Sequence, residues 1–381
     1  MKKILFISTL LPTRLGGMRS LFYNMVSFSR FFEVHFIRVK ASQSENRELI
    51  SIPADVHFSE VECPGLSLDI TSPLFLLHWK DMMRIGSARE EIQHYIDQNG
   101  ISVVVMHSMD VTFALRNLVA PVKSGYQIDS FATYYQSKKQ ASDFLPAAFF
   151  GAVQSAFFLL IEWLLLQSYD VLAYVSAFDV SENAARSGKA MVVSQCRDPP
   201  SEVQKQNMGK RETDIVILGR WEHPPNRDGL EKILSTLGKI NGHIAIAGPN
   251  MHGGMALPKN AVALGMVSDM ESLLSNSKIC IVPVWYGAGL QTKVFDALRC
   301  GCKVLTTDFT KKGFDSNRFV SESIESCSDL AASANDALET YSKKDAEAAY
   351  VSYASFFSLN RAKEEEYVKK LCELAEAKSS S

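Results

Sequence analysis

A lysine and an aspartate follow two glycines in the segment YGAGLQTKVFDALRCG, residues 286–301. The apolar run KICIVPV before it predicts a buried strand, and QTKVFDALRC has the spacing of a helix. In the turn between them, Gly287 and Gly289 would let a ligand come close to the backbone. Lys293 can neutralise a phosphate charge, and Asp296, about one helical turn later, can accept a hydrogen bond from a sugar hydroxyl.

The first turn of this helix also offers backbone N–H groups at the positive end of the helix dipole, which suits a phosphate. These amides belong to Leu290, Gln291 and Thr292. Glycine-rich turns between a strand and a helix are also common without a ligand, and their lysines and aspartates are then simply solvated. The residues alone leave both interpretations open.

Length and composition indicate a globular protein of two domains. The chain has 381 residues, of which 46% are apolar and 22% charged. A net charge of -2 gives no reason to expect a nucleic-acid partner. The seven cysteines are scattered, and the pair Cys300 and Cys302 has no second pair or nearby histidine, so we expect no zinc site there and a reducing cytosol.

Strands and helices alternate along the whole chain, which predicts parallel sheets covered by helices on both faces. The initial MKKILFISTLLP reads as a first buried strand rather than a secretory signal, so we expect a cytoplasmic protein. The polar segment SQCRDPPSEVQKQNMGKRET has a Pro-Pro pair and no apolar period, which is typical of a linker. We therefore predict an α/β fold with Rossmann-like domains at residues 1–200 and 201–358, and a C-terminal helix and polar tail at 359–381.

The second half resembles a known family, the retaining GT-B glycosyltransferases of the group 1 or family-4 type. Four segments follow in the family's order and spacing: VILGRWEHPPNRDGLEKIL, HIAIAGP, VALGMVSDMESLLSNSKICIVPV and GAGLQTKVFDALRCGCKVLTTD. The resemblance covers most of the chain and is strongest over residues 214–308. It implies two doubly wound domains that face each other across a cleft, with a nucleoside-diphosphate sugar as donor.

The resemblance assigns roles to individual residues. Arg220 and Lys293, with the amides at the start of the helix, would bind the donor diphosphate. Asp296 stands where the family has the second of two glutamates, the one that holds the ribose, whereas Ala288 replaces the first. The backbone near Met266 and Val267 would hold the base.

In the first half, STLLPTRLGGMRSLFYNM resembles the family's first glycine loop, which places Gly16 and Gly17 beside the transferred sugar or its phosphate. Asp129 stands where the family often has a histidine, and it could bind the acceptor hydroxyl, assist as a base, or cap a helix. His107, at the end of another strand, is either a cleft residue or a core histidine.

Residues 144–167 form the most apolar stretch and contain one charge, Glu162. They are long enough to span a bilayer, but polar residues interrupt them, so a buried or interfacial helix is the preferred interpretation. An exposed apolar face would suit a lipid-linked acceptor and peripheral membrane contact.

The implied activity is a metal-independent, retaining transfer of a hexosyl group to a glycan or lipid-linked saccharide, in surface polysaccharide synthesis. No cofactor is expected beyond the nucleotide-sugar substrate, and no metal ligands are predicted. Two alternatives remain open. One is a nucleotide-sugar epimerase or hydrolase with the same diphosphate site. The other is a non-catalytic partner subunit, which the absence of both family glutamates would suit.

Overall fold

The computed structural model describes residues 1–12, 19–40, 52–63, 82–141, 145–194, 198–200, 211–251, 255–315, 324–326 and 329–380. Their contacts divide the chain into two compact units. The first unit comprises Met1–Arg197 and Asn360–Ser381, and the second comprises Asp198–Leu359. The predicted Gly16 and Gly17 lie outside the described residues.

The first unit contains a seven-stranded sheet in the order β3-β2-β1-β4-β5-β6-β7, and every pairing between neighbouring strands is parallel. The strands are β1 (Lys2–Ser8), β2 (Phe32–Lys40), β3 (His57–Glu62), β4 (Val103–His107), β5 (Val122–Gln127), β6 (Val171–Tyr174) and β7 (Ala190–Val192). The helices are α1 (Arg19–Phe28), α2 (Arg89–Asn99), α3 (Met109–Ala114), α4 (Phe131–Gln140), α5 (Leu145–Ser168) and α6 (Glu182–Arg186), with a 3₁₀ turn at Ala177–Asp179.

Both faces of this sheet are buried, which explains why its strands are apolar without alternation. Along β1, Leu5 and Ile7 pack into one core cluster, whereas Ile4 and Phe6 pack into another on the opposite face. The second cluster includes Tyr367 from the C-terminal helix.

The second unit contains a six-stranded sheet in the order β10-β9-β8-β11-β12-β13, also parallel throughout. Its strands are β8 (Thr213–Leu218), β9 (Ile244–Ala247), β10 (Ala261–Gly265), β11 (Ser277–Val282), β12 (Lys303–Thr306) and β13 (Ile324–Ser326). Its helices are α7 (Pro224–Leu237), α8 (Met270–Ser275), α9 (Thr292–Arg299), α10 (Asp308–Asp315) and α11 (Leu330–Thr340).

One long helix, α12 (Lys343–Ser379), ends the fold and contributes residues to both units. Its last part belongs to the first unit, where Tyr367 Oη and Ser124 Oγ lie 2.7 Å apart. In the same region, Arg361 donates hydrogen bonds to Ser27 Oγ at 2.6 Å and to Glu364 Oε2 at 2.8 Å. The helix therefore begins well before residue 359, where the sequence predicted a separate C-terminal element.

The predicted fold class is confirmed, since both sheets have the strand order of a doubly wound α/β domain. In such a sheet the order reverses beside the first strand, and ligands bind there, outside the carboxyl ends of the strands. In the second unit this reversal lies between β8 and β11. A ligand site is therefore expected at the residues that follow these two strands.

Candidate functional site

The turn that leaves β11 has a backbone conformation that requires glycine. Gly287 has φ 144° and Gly289 has φ 67°, both in the region that side chains with a Cβ disfavour. A Cβ placed on Gly287 would meet nothing closer than 4.0 Å, so the space in front of this glycine is open. This geometry leaves room for a ligand to approach the backbone at Gly287.

Side chains from two other elements hold this turn in place. Thr307 and Thr310, which follow β12, both donate hydrogen bonds to the carbonyl oxygen of Val284, the latter at 3.2 Å. Tyr286 donates its hydroxyl hydrogen to Asp228 Oδ2 on α7 at 2.6 Å. The turn is therefore fixed to the sheet on one side and to α7 on the other.

Helix α9 starts where the turn ends. Gln291 is its N-cap residue, and the Gln291 side chain makes no capping hydrogen bond. The helix stops before Gly301: Gly301 N donates to Leu298 O and Cys302 N donates to Ala297 O, the pattern of a Schellman motif. The first-turn amides are thus left without a capping side chain, and a ligand oxygen could accept from them.

Lys293, in the first turn of α9, contacts the end of β8 and the first turn of α7. Its ammonium group donates to Leu218 O, at the end of β8, at 2.9 Å and to Asn226 Oδ1 at 2.7 Å. An ammonium group has three donors, so one remains for a ligand. Burial lowers the pKa of Lys293 to about 8, because the charged form loses contact with water. A bound anion would restore part of that lost stabilisation.

Asn226 is a site residue to which the sequence analysis gave no role of its own. Its side chain accepts from Lys293 and donates through Nδ2 to Arg220 O at 3.1 Å. It lies in the first turn of α7, which begins at Pro224. Proline has no N–H to lose at this first position and its φ suits a helix, which explains the start at this residue.

Helix α7 can contact the β11 turn closely because it carries a glycine at the crossing point. A Cβ on Gly229 would lie 1.8 Å from the carbonyl oxygen of Pro283. No side chain can be accommodated at that distance without displacement of the helix. Gly229 therefore sets the spacing that brings Asn226 to Lys293.

Arg220 follows β8, on the same edge of the sheet as Lys293. Its guanidinium group is 77% exposed and pairs with Glu222 Oε1 at 2.8 Å. Burial lowers the pKa of the neighbouring His223, and the charges of Lys293 and Arg220 lower it further. Three groups that can carry positive charge therefore lie near one another at this edge. Asp296 is partly buried on α9, one turn beyond Lys293.

Met266 and Val267, predicted beside the base, come directly after β10. The Met266 side chain is 68% exposed, whereas Val267 packs against the core of the second unit. Both residues follow the carboxyl end of a strand, as do Arg220 and the β11 turn, so all of them lie at the same edge of the sheet.

The remaining predicted residues belong to the first unit. Asp129 follows β5, and although it is exposed, the protein around it reduces its hydration and raises the pKa of its carboxyl group to about 6. It is not the capping residue of α4: Ser130 is, and its side chain accepts from Thr133 N at 3.3 Å. His107 is fully buried and stacks on Tyr126 with ring centroids 5.2 Å apart. His107 is therefore a core residue.

Residues 212–339 match the family model described as glycosyl transferases group 1. The matched segment contains every predicted donor-site residue of the second unit. The resemblance to this family that the sequence motifs indicated is confirmed, and the match supports glycosyltransferase activity. The chain has no match among curated protein sequences.

Solved structures of glycosyltransferases share the fold over nearly the whole chain. Sucrose-phosphate synthase from Thermosynechococcus elongatus aligns with a TM-score of 0.70 and 13% identity, covering 98% of this chain and 100% of its own. HepE from Anabaena, solved with UDP, aligns with a TM-score of 0.64 and 11% identity, covering 97% of this chain and 100% of its own. WaaG, a glycosyltransferase involved in lipopolysaccharide biosynthesis, aligns with a TM-score of 0.61 and 13% identity, covering 97% of this chain and 99% of its own. Identities this low establish the GT-B fold alone.

Proposed function

We propose that this chain, in which residues 212–339 are a group 1 glycosyltransferase domain, moves a sugar from a nucleoside-diphosphate sugar to a glycan or a lipid-linked saccharide. The observation that best supports this proposal is the position of Lys293 at the start of α9. Its ammonium group donates to Leu218 O and Asn226 Oδ1, which leaves one N–H for a ligand. A diphosphate beside the glycine turn would accept from that donor and from the helix amides. The Asp296 carboxylate would accept from the ribose.

The chemical role of these groups follows from where charge develops. As the glycosidic bond breaks, the leaving diphosphate gains negative charge, so Lys293, Arg220 and the helix terminus stabilise the transition state more than the ground state. Arg220 contacts Glu222 through Nε and Nη2, and the other N–H groups of its exposed guanidinium group can donate to the phosphate. Asp129 is the proposed group for the acceptor hydroxyl.

We further propose that the anomeric configuration is retained, that the protein acts in the cytoplasm at the inner face of the cell membrane, and that its product enters a surface polysaccharide. The family resemblance supports the first of these points. A nucleotide-sugar epimerase or hydrolase would turn over donor without acceptor, and a non-catalytic partner subunit would bind donor without turnover. Donor consumption measured with and without added acceptor separates these possibilities.

Lys293→Ala should lower kcat/KM for the donor by roughly 10- to 150-fold, because it removes a charge-assisted contact worth about 1.5–3 kcal/mol. Turnover is measured at several donor concentrations, with circular dichroism to confirm that the variant is folded.

Lys278→Ala is the matched control. Lys278 lies at the opposite end of β11, 30% exposed, and pairs with Asp214 Oδ1 at 2.7 Å. Its loss should affect stability and leave donor kinetics unchanged. Equal kinetic losses in both variants, or none in Lys293→Ala, would contradict the proposed donor site.

The transfer is proposed to need no metal ion, because the helix terminus and two basic side chains supply the positive charge that a bound magnesium ion would supply. Turnover in excess EDTA should therefore stay close to that in untreated enzyme. Loss of turnover in EDTA that magnesium or manganese restores would show that a metal ion completes the donor site.

Contact with a membrane is a second part of the proposal, and it depends on helix α5. Among the described residues, the only helix long and apolar enough to cross a membrane is Phe149–Ser168. One face of it is buried in the first unit through residues such as Phe158, Ile161 and Leu165. The opposite face presents large apolar side chains to solvent: Phe149, Phe150, Val153, Leu159, Leu160 and Trp163.

The exposed residues follow helical spacing, so they form one continuous apolar stripe. A wholly buried helix would present no such stripe. Near its start, a Cβ on Gly151 would lie 3.1 Å from Lys139 Cβ, so the last turn of α4, which carries Lys138 and Lys139, packs against the first part of α5. An apolar stripe with adjacent lysines suits the interface of an anionic membrane, where a lipid-linked acceptor would be found.

The double variant Phe149→Ser, Phe150→Ser should bind anionic vesicles more weakly, with a melting temperature close to that of the parent. Both rings are already in water in this structure, 66% and 63% exposed, so little buried area is lost. Vesicle co-sedimentation at low and high salt measures the binding, and calorimetry measures the melting temperature.

Phe31→Ser is the control, since Phe31 is 49% exposed in the same unit but lies outside the stripe. It should leave vesicle binding unchanged. A parent protein that does not sediment with vesicles, or a double variant that sediments equally well, would contradict membrane contact through α5.

A further inference from the structure

A second cluster of reactive side chains lies in the first unit at the amino-terminal end of β2 and β3. Glu33 and His35 stand two residues apart on β2, so their side chains emerge on the same face. His57, the first residue of β3, is the register partner of His35. No local sequence pattern marks these residues, because only the pairing of the two strands brings them together.

The spacing of the three ligand atoms fits a metal ion. Glu33 Oε1 lies 3.1 Å from His35 Nε2 and 3.4 Å from His57 Nε2, and all three atoms lie within 4.8 Å of one another. Ligands about 2.0–2.1 Å from a tetrahedral zinc ion are about 3.3–3.4 Å apart. The distance from Glu33 to His57 has this length, and the distance from Glu33 to His35 is slightly shorter. His57 is 58% exposed, which leaves a fourth position open to water.

The surroundings of His35 prepare it to act as a ligand. His35 is 3% exposed, and its Nδ1 lies 2.8 Å from the hydroxyl of Tyr95. When Nδ1 carries the hydrogen and donates it to that oxygen, the lone pair of Nε2 faces Glu33 and His57. In the metal-free protein His35 Nε2 lies 3.1 Å from Glu33 Oε1, and the metal ion would take the place of a hydrogen between these two atoms.

A competing cation also contacts the cluster. Lys3, the register partner of Glu33 on β1, places its ammonium group 3.5 Å from Glu33 Oε1. A metal ion would therefore share the Glu33 carboxylate with Lys3 or displace that lysine.

We propose that Glu33, His35 and His57 bind one divalent transition-metal ion of the zinc type, with water as the fourth ligand. Two imidazoles and a carboxylate are a common zinc-binding set. The ion would join edge strand β3 to β2, at the end of the sheet opposite the carboxyl ends of its strands. Its role would be to stabilise the first unit, separate from the metal-independent transfer proposed above.

The experiment uses the full-length protein freed of metal with EDTA and then dialysed against metal-free buffer at pH 7.5. Zinc binding is measured by competition with a chromophoric chelator, and the melting temperature is measured with and without zinc. We expect this site to bind one zinc ion per chain, and we expect bound zinc to raise the melting temperature of the protein.

His57→Gln should abolish this site and the zinc-dependent rise in melting temperature. Since His57 is largely exposed, the variant should fold like the parent. His94→Gln is the matched control, because His94 lies on α2 outside the cluster and its loss should leave binding unchanged. Equal zinc binding by His57→Gln and the parent, or no binding by the parent, would overturn the proposal.

Tyr95→Phe tests whether zinc is bound by His35, whose ring is oriented by Tyr95, or only by the exposed His57. Loss of the hydroxyl that orients His35 should weaken zinc binding by about 10- to 100-fold. An unchanged affinity in this variant would contradict the assignment of His35 as a ligand. Donor turnover should be the same with and without zinc in all three variants, which keeps this test independent of the glycosyltransferase proposal.

Discussion

The arrangement of the donor site depends on one partly buried ammonium group. Lys293 is held from two directions, by the last carbonyl of β8 and by the first turn of α7. Removing a lysine from water is unfavourable, and the lowered pKa of about 8 reflects that penalty. Two hydrogen bonds only partly compensate it. The remaining positive charge makes this edge of the sheet a favourable place for an anion.

Backbone geometry makes this placement possible. Gly229 lets α7 approach Pro283 at a distance that excludes a side chain, and Gly287 and Gly289 adopt angles that other residues disfavour. Gly229 thereby brings α7 and its Asn226 close to the turn, and the two turn glycines lead into the helix whose first residues include Lys293. Parallel strands with both faces covered then direct all these groups to one edge of the sheet.

Local patterns in the sequence predicted much of this. Unbroken apolar runs specified the parallel strands, and the glycine turn followed by Lys293 marked the candidate site, since both signals depend only on neighbouring residues. Contacts between distant segments could not be predicted in this way. Asn226 meets Lys293 from 67 positions away, and His35 meets His57 through strand register. Helix α5 has large apolar residues on all sides and only a few polar ones, so its sequence carried no period that could distinguish the buried face from the exposed one.

The central claim, that Lys293 provides the charge for a diphosphate, is tested most directly by calorimetric titration with UDP at pH 8 in buffers that differ in ionisation enthalpy. In the free protein about half of Lys293 is deprotonated at a pH equal to its pKa. An anion beside it favours the charged form, so binding should take up as much as about half a proton per site. Lys293→Arg, which stays charged, should bind without that uptake. Absence of proton uptake by the parent protein, or equal uptake by Lys293→Arg, would contradict the account.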